Sequence, residues 1–267
     1  MLENGLLHCP KKKTNFRDNL SFNELLNTPP STSTLIELIK EPDFFVSPCD
    51  KGPRQHSKEL DKILGFKIPK IEQGLLKKYR PYYKCSDDTN RKKHLAGTQT
   101  WIGLHPQVLQ TPYSEISHFL SLLKKYELKT VVDLGAGYGR VGIVMNAIFP
   151  QASFIGFEIL DVRLEEATRI FNRLELSNCE MRSQNILDES FQIPKADLYF
   201  IYDFSDPQDL KVILDKLSKK FFTERFFIIA KGEGVRSLIQ LKYPQFWAGH
   251  GVLHQKQWSM YSSFFDL

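Results

Sequence analysis

The stretch from Thr130 to Glu158, TVVDLGAGYGRVGIVMNAIFPQASFIGFE, constrains this chain more than any other. Its apolar β-branched opening (Thr130, Val131, Val132) predicts a strand, which Gly135, Gly137 and Gly139 break into a loop. Val141 to Ile148 resumes with helical spacing, and a second short apolar strand, Phe154 to Phe157, ends on Glu158. Strand, glycine loop, helix, strand and acid, in that order, make the first βαβ unit of a nucleotide-binding α/β sheet. Glycines at alternate positions let the backbone turn sharply and let a ligand lie against the main chain, because no Cβ stands in the way. The helix after the loop begins with unpaired N–H groups that attract polar or anionic ligand atoms. Glu158, at the carboxyl end of the second strand, sits where an acid accepts both hydroxyl protons of a ribose.

Two glycine frames overlap here. Gly137, Gly139 and Gly142 fit the GxGxxG dinucleotide fingerprint, while Asp133, Gly135, Gly137 and Gly139 fit DxGxGxG. Asp133 separates the two. A carboxylate at the strand end would repel a pyrophosphate and be costly to bury beside one. It suits a ligand bearing an ammonium and a sulfonium, and S-adenosylmethionine carries both charges and no phosphate. In this frame the segment resembles motif I of the class I, seven-strand S-adenosylmethionine-dependent methyltransferases, and Glu158 resembles their ribose-binding acid. The resemblance implies an α/β fold: a Rossmann-like seven-stranded mixed sheet, mostly parallel with an antiparallel last strand, flanked by helices. It also implies methyl transfer by in-line displacement. An NAD-dependent oxidoreductase using the Gly137 frame, and a catalytically inactive adaptor on the same fold that binds protein or RNA, stay open as alternatives.

With 267 residues the chain can hold one large α/β domain and an extension. Residues 1–96 are expected to form a mainly helical N-terminal extension, with only short helices such as Thr32 to Lys40 before residue 56, and residues 97–267 the cofactor-binding domain. Residues 1–100 contain 18 Lys+Arg against 12 Asp+Glu, a net +6, and the remainder carries −1. The basic front could attract an acidic partner or be a solvated surface. Lys77, Lys78, Tyr79, Arg80, Tyr82, Tyr83 and Lys84 interleave charge with aromatics, which serves nucleic acid or, equally, a helix end with tyrosines turned inward. Cys9, Cys49, Cys85 and Cys179 are scattered with no CxxC pair, so reduced thiols and no zinc site are expected. No apolar run is long enough to span a membrane and the N-terminus lacks a secretion pattern, so the expected location is the cytoplasm.

The remaining site candidates come in chain order. In many class I methyltransferases the segment before the first strand folds over the cofactor, which by resemblance puts Thr111 and Tyr113 at the methionine end. The helix Ser114 to Tyr126 follows. DVRLEEATRIFNRLEL is an amphipathic helix whose apolar side is Val162, Leu164, Ala167, Ile170, Phe171 and Leu174. A polar residue after the third strand binds adenine in the resembled family; this puts Asn185 forward, with Gln184 and Asp188 beside it. The fourth strand, Leu198 to Ile201, stops at Tyr202 and Asp203, and ligands of open parallel sheets bind outside such strand ends. The family's motif IV holds the acceptor there, often as Asn/Asp-Pro-Pro-aromatic. Here the text reads Tyr202-Asp203-Phe204-Ser205-Asp206-Pro207, a departure that argues against a standard N6-adenine or glutamine methyltransferase. It is closer to the histone-lysine methyltransferases of the disruptor-of-telomeric-silencing type. Asp203 would hydrogen-bond and orient an acceptor amine while Phe204 packs alongside. The acceptor is expected to be macromolecular, a protein amine ahead of RNA. A fifth strand at Arg225 to Ala230 and a closing pair around Gly251 to His254 and Trp258 to Phe264 complete the reading. His250 and His254 lack a third ligand for a metal.

Overall fold

The computed structural model describes residues 22–84, 102, 105 and 107–264. Its apolar runs pair side by side as strands β1 (Thr130–Leu134), β2 (Ser153–Glu158), β3 (Cys179–Ser183), β4 (Leu198–Tyr202) and β5 (Phe227–Lys231), with β6 (Trp247–Ala248) and β7 (Trp258–Ser262) completing the sheet. The order is β3-β2-β1-β4-β5-β7-β6, parallel through β5, with β7 antiparallel to both β5 and β6. Chain order reverses between β1 and β4, so the crevice above those two strand ends is the expected ligand position.

The central strands β1, β4 and β5 are covered on both faces, which is why they read as continuous apolar runs, whereas β3 at the edge is largely exposed. Alternate residues go to opposite sides. Val131, Leu198, Phe200 and Ile229 join one core with helices α5 (Tyr113–Leu122), α6 (Arg140–Ile148) and α7 (Asp161–Arg173). Val132, Tyr199, Ile201 and Ile228 join the other, under α8 (Pro207–Lys220) and α9 (Glu233–Lys242). Asp133 follows the same alternation onto the face of Val131, beside its strand partner Phe200.

The front of the chain is helical: α1 (Phe22–Asn27), α2 (Thr32–Leu38), a 3₁₀ turn (Pro42–Phe45), α3 (Pro53–Leu64) and α4 (Ile68–Lys84). Ser31 caps α2 by accepting from the Thr34 N–H, and Gly65 ends α3 in the left-handed conformation. Leu35, Phe44, Phe45, Leu60 and Leu64 are fully buried in the same core as Tyr113, Phe119, Val131 and Val144. The expected boundary at residue 96 therefore does not separate two cores; the described front helices and the sheet share one.

Other expectations shift. The first closing strand is β6, and Gly251–Leu253 is a 3₁₀ turn, because Gly251 takes a positive φ. Helix α9 begins where Gly232 and Gly234 suggested only punctuation. In α7 the buried first-turn residue is Arg163 and Val162 is exposed, because Arg163 has an ion-pair partner on α4. His254 is tied to Ser259 and Arg236. Cys179 is a free thiol, and Cys9 and Cys85 lie outside the described residues. No helix among the described residues is long and apolar enough to cross a membrane.

Candidate active site

Above the ends of β1, β2, β3 and β4 lies a crevice of about 340 Å³. Gly135 and Gly137 form its floor, Glu158 and Asn185 one wall, and Asp203 and Phe204 the other. A side chamber of about 40 Å³ opens from it, sharing Leu109, Gly135, Gly137 and Tyr202, and is lined further by Asp133, Thr111 and Arg140.

Glu158 is nearly buried, and its carboxylate fastens the loop. One oxygen accepts from Gly137 N at 2.9 Å; the other takes Ile159 N at 3.0 Å and Leu160 N at 2.9 Å. A carboxylate offers about four acceptor sites, so about one remains for a ligand hydroxyl. Glu158 thus shapes the loop as well as facing the crevice. Gly135, at φ +90°, brings the main chain against Phe204: a Cβ there would stand 3.1 Å from the Phe204 Cβ. Gly139 was expected to admit a ligand, but it lines neither cavity. A Cβ at Gly139 would meet the Phe171 ring at 2.6 Å, so it serves the packing of the start of α6 against α7.

Asp133 is 4% exposed, and among the described residues no hydrogen-bond donor reaches its carboxylate. Burial first, and then the charge of Glu158, pushes its pKa well above the ordinary carboxylate range. Beside it, the buried hydroxyl of Thr111 has no hydrogen-bond partner. Unpaired polar groups at such depth are costly, and together they describe a polar subsite suited to a cation.

Tyr113 does not reach this subsite. It is fully buried, its hydroxyl donates to Asp61 at 3.0 Å, its N–H donates to the Ser57 hydroxyl, and the Arg140 guanidinium lies 4.8 Å above its ring. As the first residue of α5 it points down into the shared core, which corrects the expectation that it touches ligand. Asn185 lines the crevice, but its amide is used locally: it donates to Asp188 at 2.7 Å and accepts from Leu187 N at 3.1 Å. That closes a turn which presents Ile186 and Leu187 opposite Ile159, an apolar slot for a planar ring.

Asp203 accepts from Gly234 N at 2.9 Å and Val235 N at 2.7 Å, holding the first turn of α9. Burial raises its pKa in spite of those two bonds. Gly232, at φ +99°, is required there, since a Cβ would collide with this carboxylate at 2.2 Å. Tyr202 donates to the Val108 carbonyl at 3.0 Å, tying the segment before α5 to the end of β4.

Two buried ion-pair networks flank the glycine loop, and neither was visible in the sequence pattern. Arg140 pairs with Asp61 of α3 and donates to the Thr111 carbonyl at 3.2 Å. Arg163 pairs with Glu72 of α4 at 2.8 Å, and Glu72 also accepts from the Tyr138 hydroxyl at 2.7 Å. Tyr138 and Arg140 stand on either side of Gly139, so the front helices grip the loop from both sides.

Residues 125–232 match a family model described as a methyltransferase domain. This part of the chain is a class I methyltransferase domain, of the kind that uses S-adenosylmethionine. Among curated proteins it is similar to the ribosomal RNA small subunit methyltransferase G of Lachnoclostridium phytofermentans, 36% identical over 76 residues, 26% of this chain and 31% of that protein. It is also similar to the tRNA (guanine-N(7)-)-methyltransferase of Bacteroides fragilis, 25% identical over 140 residues, 48% of this chain and 55% of that protein. The chain thus spans between about a third and about half the length of these relatives. A solved S-adenosylmethionine-dependent O-methyltransferase from Thermotoga maritima is 13% identical, with a TM-score of 0.43, over 57% of this chain and 65% of that one. The cavities fit the domain's cofactor: Asp133 and the unpartnered Thr111 hydroxyl face the chamber, Glu158 the middle of the crevice, and Ile159 with Ile186 its far end.

Proposed function

We propose that this chain transfers a methyl group from S-adenosylmethionine to a nucleophile on a macromolecule, and that the macromolecule is RNA. The observation that carries the cofactor assignment is Asp133, a buried carboxylate that no hydrogen-bond donor among the described residues reaches, in one chamber with the unpartnered Thr111 hydroxyl. A ligand ammonium would offset its burial, whereas a pyrophosphate would raise it further. The two curated relatives support RNA by what their names say they methylate, and they lend no support to a protein amine over RNA.

When bound, S-adenosylmethionine supplies a methyl group already activated on a cationic sulfur. The protein's part is alignment and the removal of water. Asp133 and Thr111 hold the amino-acid end, Glu158 the ribose, and the Ile159–Ile186 slot the adenine, with Asn185 setting the turn that carries Ile186. Phe204, packed against Gly135, forms the apolar side of the path by which the acceptor approaches. Asp203 acts as a positioning residue: with both oxygens on the start of α9 it fixes Phe204 rather than removing a proton. The test is calorimetric titration with S-adenosylmethionine, S-adenosylhomocysteine and NAD in parallel. Micromolar binding of the first two without the third is expected, and NAD binding alone would reverse the assignment.

A further inference from the structure

A second groove, of about 460 Å³, runs between α4 and the start of α7 and meets the cofactor crevice at Ile159, which lines both. Nothing in the cofactor assignment uses it. Its floor is apolar and recessed: Leu75 and Leu160 are buried and Ile71 half-buried. Its rim carries Lys67, Lys70 and Lys78, all exposed. The sole acid from Lys67 to Lys78 is Glu72, buried and held by Arg163 and Tyr138. The other lining acid, Asp161, accepts the Ser183 hydroxyl at 3.0 Å and sits on the first turn of α7, where the helix dipole opposes its charge. The walls are joined: Glu166 of α7 accepts from Lys67 N, and Arg169 donates to the Gly65 carbonyl. Among the described residues the groove is therefore lined by three lysines against the one acid Asp161, and it leads to the cofactor crevice.

We infer that this groove is the docking site for the phosphate backbone of the RNA acceptor. Helix rise spaces Lys67 from Lys78 by about 16 Å, the axial span of roughly five nucleotides in a stacked strand. Lysines strung along an axis match a linear polyanion better than the convergent charge an acidic peptide side chain needs. A membrane surface would call for a contiguous set of apolar residues projecting beyond the lysines; here Leu75 and Leu160 are recessed between two helices, and Val162 alone of the apolar lining residues is exposed. This inference rests on the RNA reading above and places its backbone on the adenine side of the crevice, away from Phe204.

The test measures fluorescence anisotropy of a labelled 20-nucleotide RNA with the full chain and with the triple variant Lys67→Glu, Lys70→Glu, Lys78→Glu, across a salt series. Anionic phosphatidylserine vesicles and S-adenosylhomocysteine titrations run beside it. The expected result is roughly tenfold or greater loss of RNA affinity at 0.1 M salt, and a salt slope shallower by about 2, near 0.7 for each lysine on a single strand. Melting temperature and S-adenosylhomocysteine affinity should not change. Wild-type RNA binding by the triple variant would overturn the inference, as would vesicle binding without RNA binding. If the variant melts early, photocrosslinking of thiouridine RNA to the wild-type chain decides instead: adducts on α4 support the site and adducts confined elsewhere sink it. Failure to bind S-adenosylhomocysteine would remove the methyltransferase reading by itself, while the RNA arms would still report on the groove.

Discussion

Replacing Asp133 by Asn removes one negative charge while keeping the side chain's size, and the structure sets two effects of opposite sign. In the free protein the carboxylate is 4% exposed with no donor among the described residues. Asparagine no longer carries the charge whose burial is opposed there, which returns about 1–3 kcal/mol at a pH where Asp133 is ionised, offset in part by burying the new amide. For a chain of this size that raises the melting temperature by a few degrees, at roughly 2–4 °C per kcal/mol. In the complex the same change deletes a charge-assisted hydrogen bond of about 1.5–3 kcal/mol, which weakens S-adenosylmethionine binding by roughly 10- to 150-fold. Scanning fluorimetry of both proteins, with and without S-adenosylhomocysteine, reads both effects in one experiment. The variant should melt higher alone and lose most of its ligand-induced shift. A variant that melts lower alone would mean Asp133 has a structural partner, and an unchanged ligand shift would mean the ammonium does not lie there; either result refutes the reasoning.

The same acid gives a pH dependence. Its folded pKa is raised by burial and by Glu158, so its contribution to stability is fully present below the ordinary carboxylate range and is lost as pH rises through the raised folded value. Stability of the free protein should fall across that window, cofactor affinity should rise across it, and Asp133→Asn should flatten both, as followed by denaturant titration and calorimetry. Glu158→Ala should weaken cofactor binding by about 1.5–3 kcal/mol and also free the Gly137 N–H, seen as faster amide exchange in the loop. Tyr113→Phe, which removes the hydroxyl's contacts with Asp61 and Arg140, should cost about 1 kcal/mol of stability in urea unfolding and leave cofactor affinity unchanged. Arg140→Ala breaks a buried pair and should destabilise by about 3–5 kcal/mol in the same assay.

What could be read in the sequence is what local pattern encodes. β1, the glycine loop, α6 and β2 follow from β-branched runs, alternate glycines and apolar spacing within one stretch, and Asp133 and Glu158 come with them because both lie at strand ends. The apolar run of β4 likewise put Asp203 and Phe204 above the crevice. What escaped depends on partners distant in sequence. Arg163 and Glu72 are 91 residues apart and Arg140 and Asp61 are 79 apart, and a charged residue at a buried helix position reads as surface until its partner is known. Tyr113 fails for the same reason, since its direction is set by Asp61 and Phe45, not by its neighbours. The start of α9 was hidden because its cap is Asp203, thirty-odd residues earlier, acting through a glycine-lined turn.

Those distant pairs change what the front of the chain is for. A detachable extension could be removed with loss of acceptor use alone, but the described part of residues 1–96 contributes Asp61 and Glu72, the partners of Arg140 and Arg163. Deleting it would strip Arg140 of its carboxylate, Arg163 of one of its two, and Tyr138 of its acceptor, and would leave the face of Phe119, Val131 and Val144 without Phe44, Leu60 and Leu64. Each uncompensated charge costs several kcal/mol against a total stability of about 5–15 kcal/mol. A chain beginning at residue 97 should therefore be unfolded by circular dichroism and bind no cofactor. A folded, cofactor-binding fragment would show that the networks are peripheral and that the glycine loop holds its shape unaided.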